Sequence, residues 1–210
     1  SITPRDLSVS DFTAVDKTYD GTVTVTIYNF LDSRVAGDVL EFSYLAEFED
    51  RHMGTDKTVL ISNISISGGA DASNYTLYNT TASTTASISA KDVSVVNAVA
   101  QDKTYDATNV ATITGAEVPE LVEGDDVSLA NHTTGTFAQI GVGQNIEVTH
   151  SMNLEGTDAG NYTLHPQGVL YASIASKQVS LSETFEVGNK VYDGSTSATV
   201  INNLLIVDGI

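Results

Sequence analysis

An amine, a phenol and a carboxylate recur together three times in this chain, as Lys17, Tyr19 and Asp20, then Lys103, Tyr105 and Asp106, then Lys190, Tyr192 and Asp193. Such a trio could relay protons, hold a ligand, or do no more than secure a turn. A tyrosine at the edge of a core keeps its hydroxyl bonded. An aspartate at a turn accepts the backbone N–H groups that follow it. Both structural roles fit the copies, so the rings are expected to pack at the core edge and the aspartates to cap their turns.

A second set, Asp71, Asn74 and Tyr75, returns as Asp158, Asn161 and Tyr162. Lys17 with Asn74, and Lys103 with Asn161, supply the amine and carboxamide of an isopeptide cross-link. Asp20 or Asp71, and Asp106 or Asp158, would be the acid that such a reaction needs in a dry core. Glu123, Asp125 and Asp126 place hard oxygens close together, the weak beginning of a calcium site. The matching stretch of the first copy has only Gly37-Asp38, and a solvated acidic loop explains the cluster more simply. No cofactor is expected beyond that calcium candidate.

Catalysis has little support. His52, His132, His150 and His165 have no histidine counterparts in the other copy, and no nucleophile elbow, phosphate loop or His-x-x-x-His pair is present. The chain is therefore read as a non-enzyme. Its net charge of −18, with nine Lys and Arg, excludes a nucleic-acid partner, which needs concentrated positive charge. Cysteine is absent, which removes disulfides and thiolate chemistry. No apolar run is long enough to span a membrane, so no membrane insertion is expected of this segment. The sequons Asn63-Ile64-Ser65 and Asn79-Thr80-Thr81 matter only in a host that glycosylates.

The elements that must position these residues repeat with a period of 86 to 87 residues. Ile2-Thr3-Pro4-Arg5 matches Ile88-Ser89-Ala90-Lys91 and Ile174-Ala175-Ser176-Lys177, which sets boundaries at 1–88, 89–175 and an incomplete 176–210. No Gly/Ser-rich or Pro-rich linker separates the copies, so the junctions are expected to be short and stiff. Thr22 to Ile27 alternates threonine with Val23, Val25 and Ile27, the pattern of a half-buried antiparallel strand. Leu7 to Val9, Val39 to Phe48, Lys57 to Ile66 and Thr85 to Ile88 read as further strands, six or seven per repeat. The second copy carries two extra residues near Asn131 to Gly135, where a surface loop absorbs them. Asp-x-(small)-x-Tyr before a strand is how a tyrosine corner is written, with the hydroxyl reaching back to upstream backbone.

The fold expected is all-β, tandem antiparallel β-sandwich modules of immunoglobulin-like type in an elongated array. The alternative is a β-grasp-like module, which needs a helix that the periodicity does not supply. The third copy stops too early to close a core, so its edge is expected to pair with the second module, to exchange strands in a dimer, or to start a longer array.

The boundary Ile-x-(Pro/Ala/Ser)-(Lys/Arg), Lys-x-Tyr-Asp-Gly, Gly-Asp-x-Val, Phe with Gly six later, and Gly-x-Asp-Ala-x-Asn-Tyr-Thr-Leu resemble the YDG-type repeats. These are similar to the MBG repeats of large bacterial surface adhesins, including filamentous-haemagglutinin-like proteins. The resemblance implies an extracellular or cell-surface location and a stalk or spacer that supports adhesion or biofilm attachment. Neighbouring repeats of the same parent would be its partners. The alternative is direct binding of a carbohydrate or a host or matrix protein through the loops Asp50 to Met53 and Asn131 to Gly135. Ala107 departs from the Gly of the motif, which implies that this turn position does not require positive φ.

Overall fold

The computed structural model describes residues 2–182, 185–203 and 206–208. The protein is all-β and of β-sandwich type; among the described residues the helical ones form two single 3-10 turns, Ala72–Asn74 and Ala159–Asn161. That absence of a longer helix among the described residues removes the β-grasp alternative.

The first repeat supplies β1 (Arg5–Leu7), β2 (Val9–Ala14), β3 (Lys17–Thr18), β4 (Ile27–Asp32), β5 (Glu41–Phe48), β6 (Gly54–Gly68), β7 (Tyr75–Leu77) and β8 (Ala82–Ser89). β5, β6 and β8 pair antiparallel, and β3 joins the edge of β8 in parallel. β1 also runs parallel to β7, with Arg5 opposite Tyr75 and Leu7 opposite Leu77. Parallel pairs at both ends of the module were not legible in an alternation pattern, which reports burial and not strand direction.

The expected strand at Thr22 to Ile27 forms differently. Its alternation is real, with the valines turned toward the core and the threonines exposed, but its pairing before Ile27 is limited to the isolated bridge from Thr24 to Glu47 and to the Val15 N–H donating to the Thr26 carbonyl, and regular pairing begins at Ile27. The Thr22 carbonyl is instead taken by the Lys17 ammonium, at 2.8 Å.

The second repeat supplies β9 (Lys91–Ser94), β10 (Val99–Ala100), β11 (Lys103–Thr104), β12 (Val110–Thr114), β13 (Ser128–Ala130), β14 (Thr134–Phe137), β15 (Gly143–Thr149), β16 (Asn153–Glu155), β17 (Tyr162–His165) and β18 (Leu170–Ala175). The long β5–β6 hairpin of the first repeat is here cut into β13 with β16 and β14 with β15. The two-residue insertion lies at that cut, where Asn131 has φ of 53° and the ladder is interrupted.

The chain divides into two compact units. One holds Ser1–Asn97, Gly115–His132 and Met152–Gln167; the other holds Ala98–Thr114, Thr133–Ser151 and Gly168–Ile210. In the first unit, Val9, Phe12, Phe48, Val59, Ile61 and Ile88 form a buried core that also takes in Val93 and Tyr162 from the second repeat. In the second unit, a six-stranded sheet in the order β10-β12-β14-β15-β18-β11 buries Ile113, Phe137, Val148 and Ile174, every other residue along its strands.

The third repeat forms β19 (Ser180–Ser182) paired with β22 (Ile206–Asp208), and β20 (Phe185–Val187) paired with β21 (Val200–Asn203). It therefore pairs with itself. Tyr192 is 92% exposed within this chain, which corrects for the third copy the expectation that the repeated tyrosine packs at a core edge.

Candidate functional site

The three Lys-x-Tyr-Asp turns share one geometry. Lys17 Nζ donates to Asp20 Oδ1 at 2.7 Å and to the Thr22 carbonyl and hydroxyl, while Asp20 Oδ1 accepts the Thr22 N–H at 2.9 Å. Lys103, Asp106 and Thr108 repeat this, as do Lys190, Asp193 and Ser195. The aspartates cap the turns as expected, and the Thr or Ser two residues on completes a motif that sequence reading cut one residue short. Lys103 holds the Asp106 carboxyl down at about 2, with further help from the Thr108 N–H and hydroxyl. Asp193 is lowered by Lys190 in the same way. Burial raises Asp20, but Lys17 and Thr22 outweigh it and leave its carboxyl low.

The residue after each aspartate is left-handed in every copy: Gly21 at 78°, Ala107 at 62° and Gly194 at 76°. Ala107 therefore does not relax the turn; it adopts positive φ at a steric cost of roughly 1–2 kcal/mol. The difference between copies lies in the surroundings. A Cβ on Gly21 would come within 2.7 Å of Val122 Cγ1, so the first copy also needs glycine for space.

The tyrosine corners form as the spacing predicts. Tyr75 Oη accepts the Val35 N–H at 2.9 Å and donates to Asp38 Oδ2 at 2.5 Å. Tyr162 Oη accepts the Val122 N–H at 2.9 Å and donates to Asp125 Oδ2 at 2.5 Å. Asp71 Oδ2 takes the Val39 N–H, and Asp158 Oδ2 takes the Asp126 N–H, both at 3.0 Å. Gly69 and Gly156 permit this closeness, because a Cβ there would lie about 2 Å from the carbonyls of Val39 and Asp126.

Within the first unit the two motifs meet. Tyr19, only 2% exposed, donates to Asp125 Oδ2 at 2.8 Å, and its ring stands edge-on to that of Tyr162 at 5.5 Å between centroids. Arg51 Nη1 reaches Asp125 Oδ1 at 2.7 Å and Nη2 reaches Asp158 Oδ1 at 3.1 Å. The Met53 N–H donates to Asn161 Oδ1 at 2.9 Å, and the Asn161 amide lies 3.2 Å from His52 Nδ1. The Asp125 side chain is wholly buried and its charge is met by two hydroxyls and a guanidinium. Burial alone would raise its carboxyl; the bonds from Tyr162 and Tyr19 and the Arg51 charge hold it low. Conversely, burial, reinforced by the hydrogen bond to Asp125, pushes Tyr162 up to about 12 and Tyr19 higher still.

This arrangement binds one repeat to the next. Asp125 and Asp126, proposed with Glu123 as calcium ligands, accept protein donors instead, Asp126 from the Thr157 N–H and hydroxyl. Among the described residues no group of three or more His, Asp or Glu side chains is gathered to hold a metal ion. The Lys17 and Lys103 ammonium groups are spent on their own turns, and Asn161 on the 52–53 loop, so the hydrogen bonds of the structure do not bring a Lys and an Asn together for cross-linking. Asn79 clamps Val9 through both its amide oxygen and nitrogen. Tyr105 is 38% exposed, so of the three repeated tyrosines Tyr19 alone is buried.

Arg51 and Asp38 carry no signal of a site role in the sequence, for different causes. Asp38 was visible only as a marker of repeat alignment. Arg51 aligns with Ile140, so repetition hid it.

A YDG domain model matches residues 3–85 and 89–169. The chain belongs to the YDG domain family. No curated protein sequence matches it. Among solved structures, the crystal structure of Drosophila N-cadherin EC1-3 overlaps 83% of this chain and 68% of its own, at 8% identity and a TM-score of 0.23, a level that carries no argument. Among the described residues, no helix of this YDG protein is long and apolar enough to cross a membrane.

Proposed function

We infer that this chain is a structural segment of YDG repeats, a stalk or spacer of a bacterial cell-surface or secreted adhesin. The observation that carries the reading is the Tyr19–Asp125–Arg51–Asp158 network, in which one repeat presents a buried phenol and a guanidinium to two carboxylates of the next. A module evolved for binding would keep such groups accessible; here they are consumed in joining repeats. The backbone gives the same support, because β8 ends at Ser89 and β9 begins at Lys91, leaving one residue between the repeats. With so little slack, force applied along the chain loads the strand ladders together. The loop Asp50 to Met53, which was a candidate for ligand contact, is occupied by the same junction.

Pulling single molecules from the two ends tests this reading. A spacer gives cooperative ruptures of whole modules, weakened when Asp125 is replaced by Asn. Extension at low force as a loose chain would count against it.

A further inference from the structure

Each full repeat contains two parallel strand pairs. In the first, β3 runs parallel to β8 and β1 to β7. In the second, β11 runs parallel to β18 and β9 to β17. Tension along the chain reaches the earlier partner of a pair through its N-terminal end and leaves the later partner through its C-terminal end. In a parallel pair those two ends lie at opposite ends of the ladder, so tension slides one strand along the other and loads every rung at once. In an antiparallel pair they would lie together, and the rungs would open one by one.

The β3–β8 and β11–β18 seams carry a further bond that the turn motif does not explain. Asp16, just ahead of β3, accepts the Ser87 N–H on Oδ1 at 2.6 Å, and Asp102, just ahead of β11, accepts the Ser173 N–H at the same distance. Lys17 stands opposite Ile88 and Lys103 opposite Ile174, so each aspartate adds a rung one step before the ladder, at the end where tension arrives. At the other end the Tyr19 N–H donates to the Ser89 carbonyl at 2.8 Å, and the Tyr105 N–H to the Ala175 carbonyl at 2.9 Å. The lysine between these rungs is held sideways. Its ammonium closes the Lys-x-Tyr-Asp turn and stands over a buried ring of the same unit, Phe48 at 5.9 Å for Lys17 and Phe137 at 5.5 Å for Lys103.

We propose that these two seams are the force-bearing clamps of the repeats, closed by Asp16 and Asp102 and anchored to the core by Lys17 and Lys103. The recurring turn thereby gains a mechanical role. Sliding β3 or β11 out of register breaks the rungs, opens the turn and lifts its lysine from the ring in one event. The inference rests on the spacer reading above and adds to it which bonds bear the load.

Single-molecule pulling on the full chain tests it, with handles attached to introduced cysteines, since the sequence has none of its own. Gln101→Cys with Ser176→Cys applies tension to β11 and β18 from opposite ends, and Thr104→Cys with Ser176→Cys applies it from the same end; all three positions are exposed. Forced rupture reports the unfolding barrier. A variant that merely destabilises the fold lowers both forces alike, whereas one that opens the clamp lowers the first alone. The first geometry should rupture at a several-fold higher force than the second. Asp102→Ala should lower that force and leave the second unchanged, while Asp102→Asn, which keeps an accepting oxygen, should retain most of it. Equal forces in the two geometries, or an equal loss in both with Asp102→Ala, would overturn the proposal. Pulling the unaltered chain from its ends separates this from the spacer reading. Cooperative ruptures there, with equal forces in the two handle geometries, reject the clamp alone, whereas extension at low force rejects the spacer.

Discussion

Replacing Asp125 by Asn removes one charge and keeps the shape, at the point where the junction concentrates its donors. Three groups converge on this carboxylate: Tyr19 at 2.8 Å, Tyr162 at 2.5 Å and Arg51 at 2.7 Å. An amide offers one accepting oxygen and turns an NH₂ toward the others, so at least one donor faces another donor. Breaking a buried ion pair from one side costs about 3–5 kcal/mol. The lower end applies, because the Arg51 side chain is one-third exposed and keeps Asp158. A loss of about 3 kcal/mol corresponds to roughly 6–12 °C in the melting midpoint of a chain of this size. Asp38→Asn is the internal control: it meets Tyr75 but neither a second tyrosine nor a guanidinium, and should cost a small fraction as much. Far-UV circular dichroism under heat and denaturant reads both. Equal losses for the two variants would refute the reasoning, since of these two carboxylates only Asp125 takes part in the junction.

The remaining predictions concern titration and turn geometry. Tyr162 is raised to about 12 from an ordinary value near 10, and Tyr19 is raised further. Their contribution is therefore complete below pH ~10 and lost as pH climbs through the folded values. Tyr75 is raised as well, by its hydrogen bond to Asp38, so phenolate absorbance should show three tyrosines titrating late, Tyr19 and Tyr162 together with unfolding. Asp106, at about 2, lies below its unfolded value of ~3.9, so its contribution is complete above pH ~4 and lost as pH falls toward 2. Acid unfolding should shift upward in Lys103→Met, and an unchanged acid limb would contradict the assignment. Ala107→Gly relieves a left-handed alanine, a gain of roughly 1–2 kcal/mol, against an added unfolded-state entropy of ~0.4–1 kcal/mol, for a net stabilisation of about 0.5–1 kcal/mol. Gly21→Ala should instead destabilise, by the same φ penalty plus the 2.7 Å approach to Val122; denaturant midpoints compare the two.

Much of the module was legible because its devices are local and repeated. Alternation marked the strands around Phe48 and Ile88, and the spacing Asp71 to Tyr75 announced a corner whose hydroxyl does reach upstream backbone. The turn caps at Asp20, Asp106 and Asp193 followed from residue type. Three things were not legible, each for a physical cause. Alternation from Thr22 to Ile27 reports which face is buried and cannot say whether a ladder partner is present, and here pairing before Ile27 is limited to an isolated bridge and the Val15 N–H bond to the Thr26 carbonyl. Ala107 suggested a relaxed turn, but the Lys103–Asp106–Thr108 bonds impose positive φ on whatever residue stands there. The junction joins Arg51 to residues 74 and 107 positions away, through a side chain that the next copy replaces with Ile140, so comparison of repeats pointed away from it.

The proposed spacer role rests on the buried Tyr19–Asp125–Arg51 network that joins the two repeats. Small-angle scattering of the chain, alone and as Asp125→Asn, tests it most directly. The account predicts an extended profile of fixed maximum dimension for the unaltered chain and a broader, more variable one for the variant. A compact profile, or one that Asp125→Asn leaves unchanged, would contradict it.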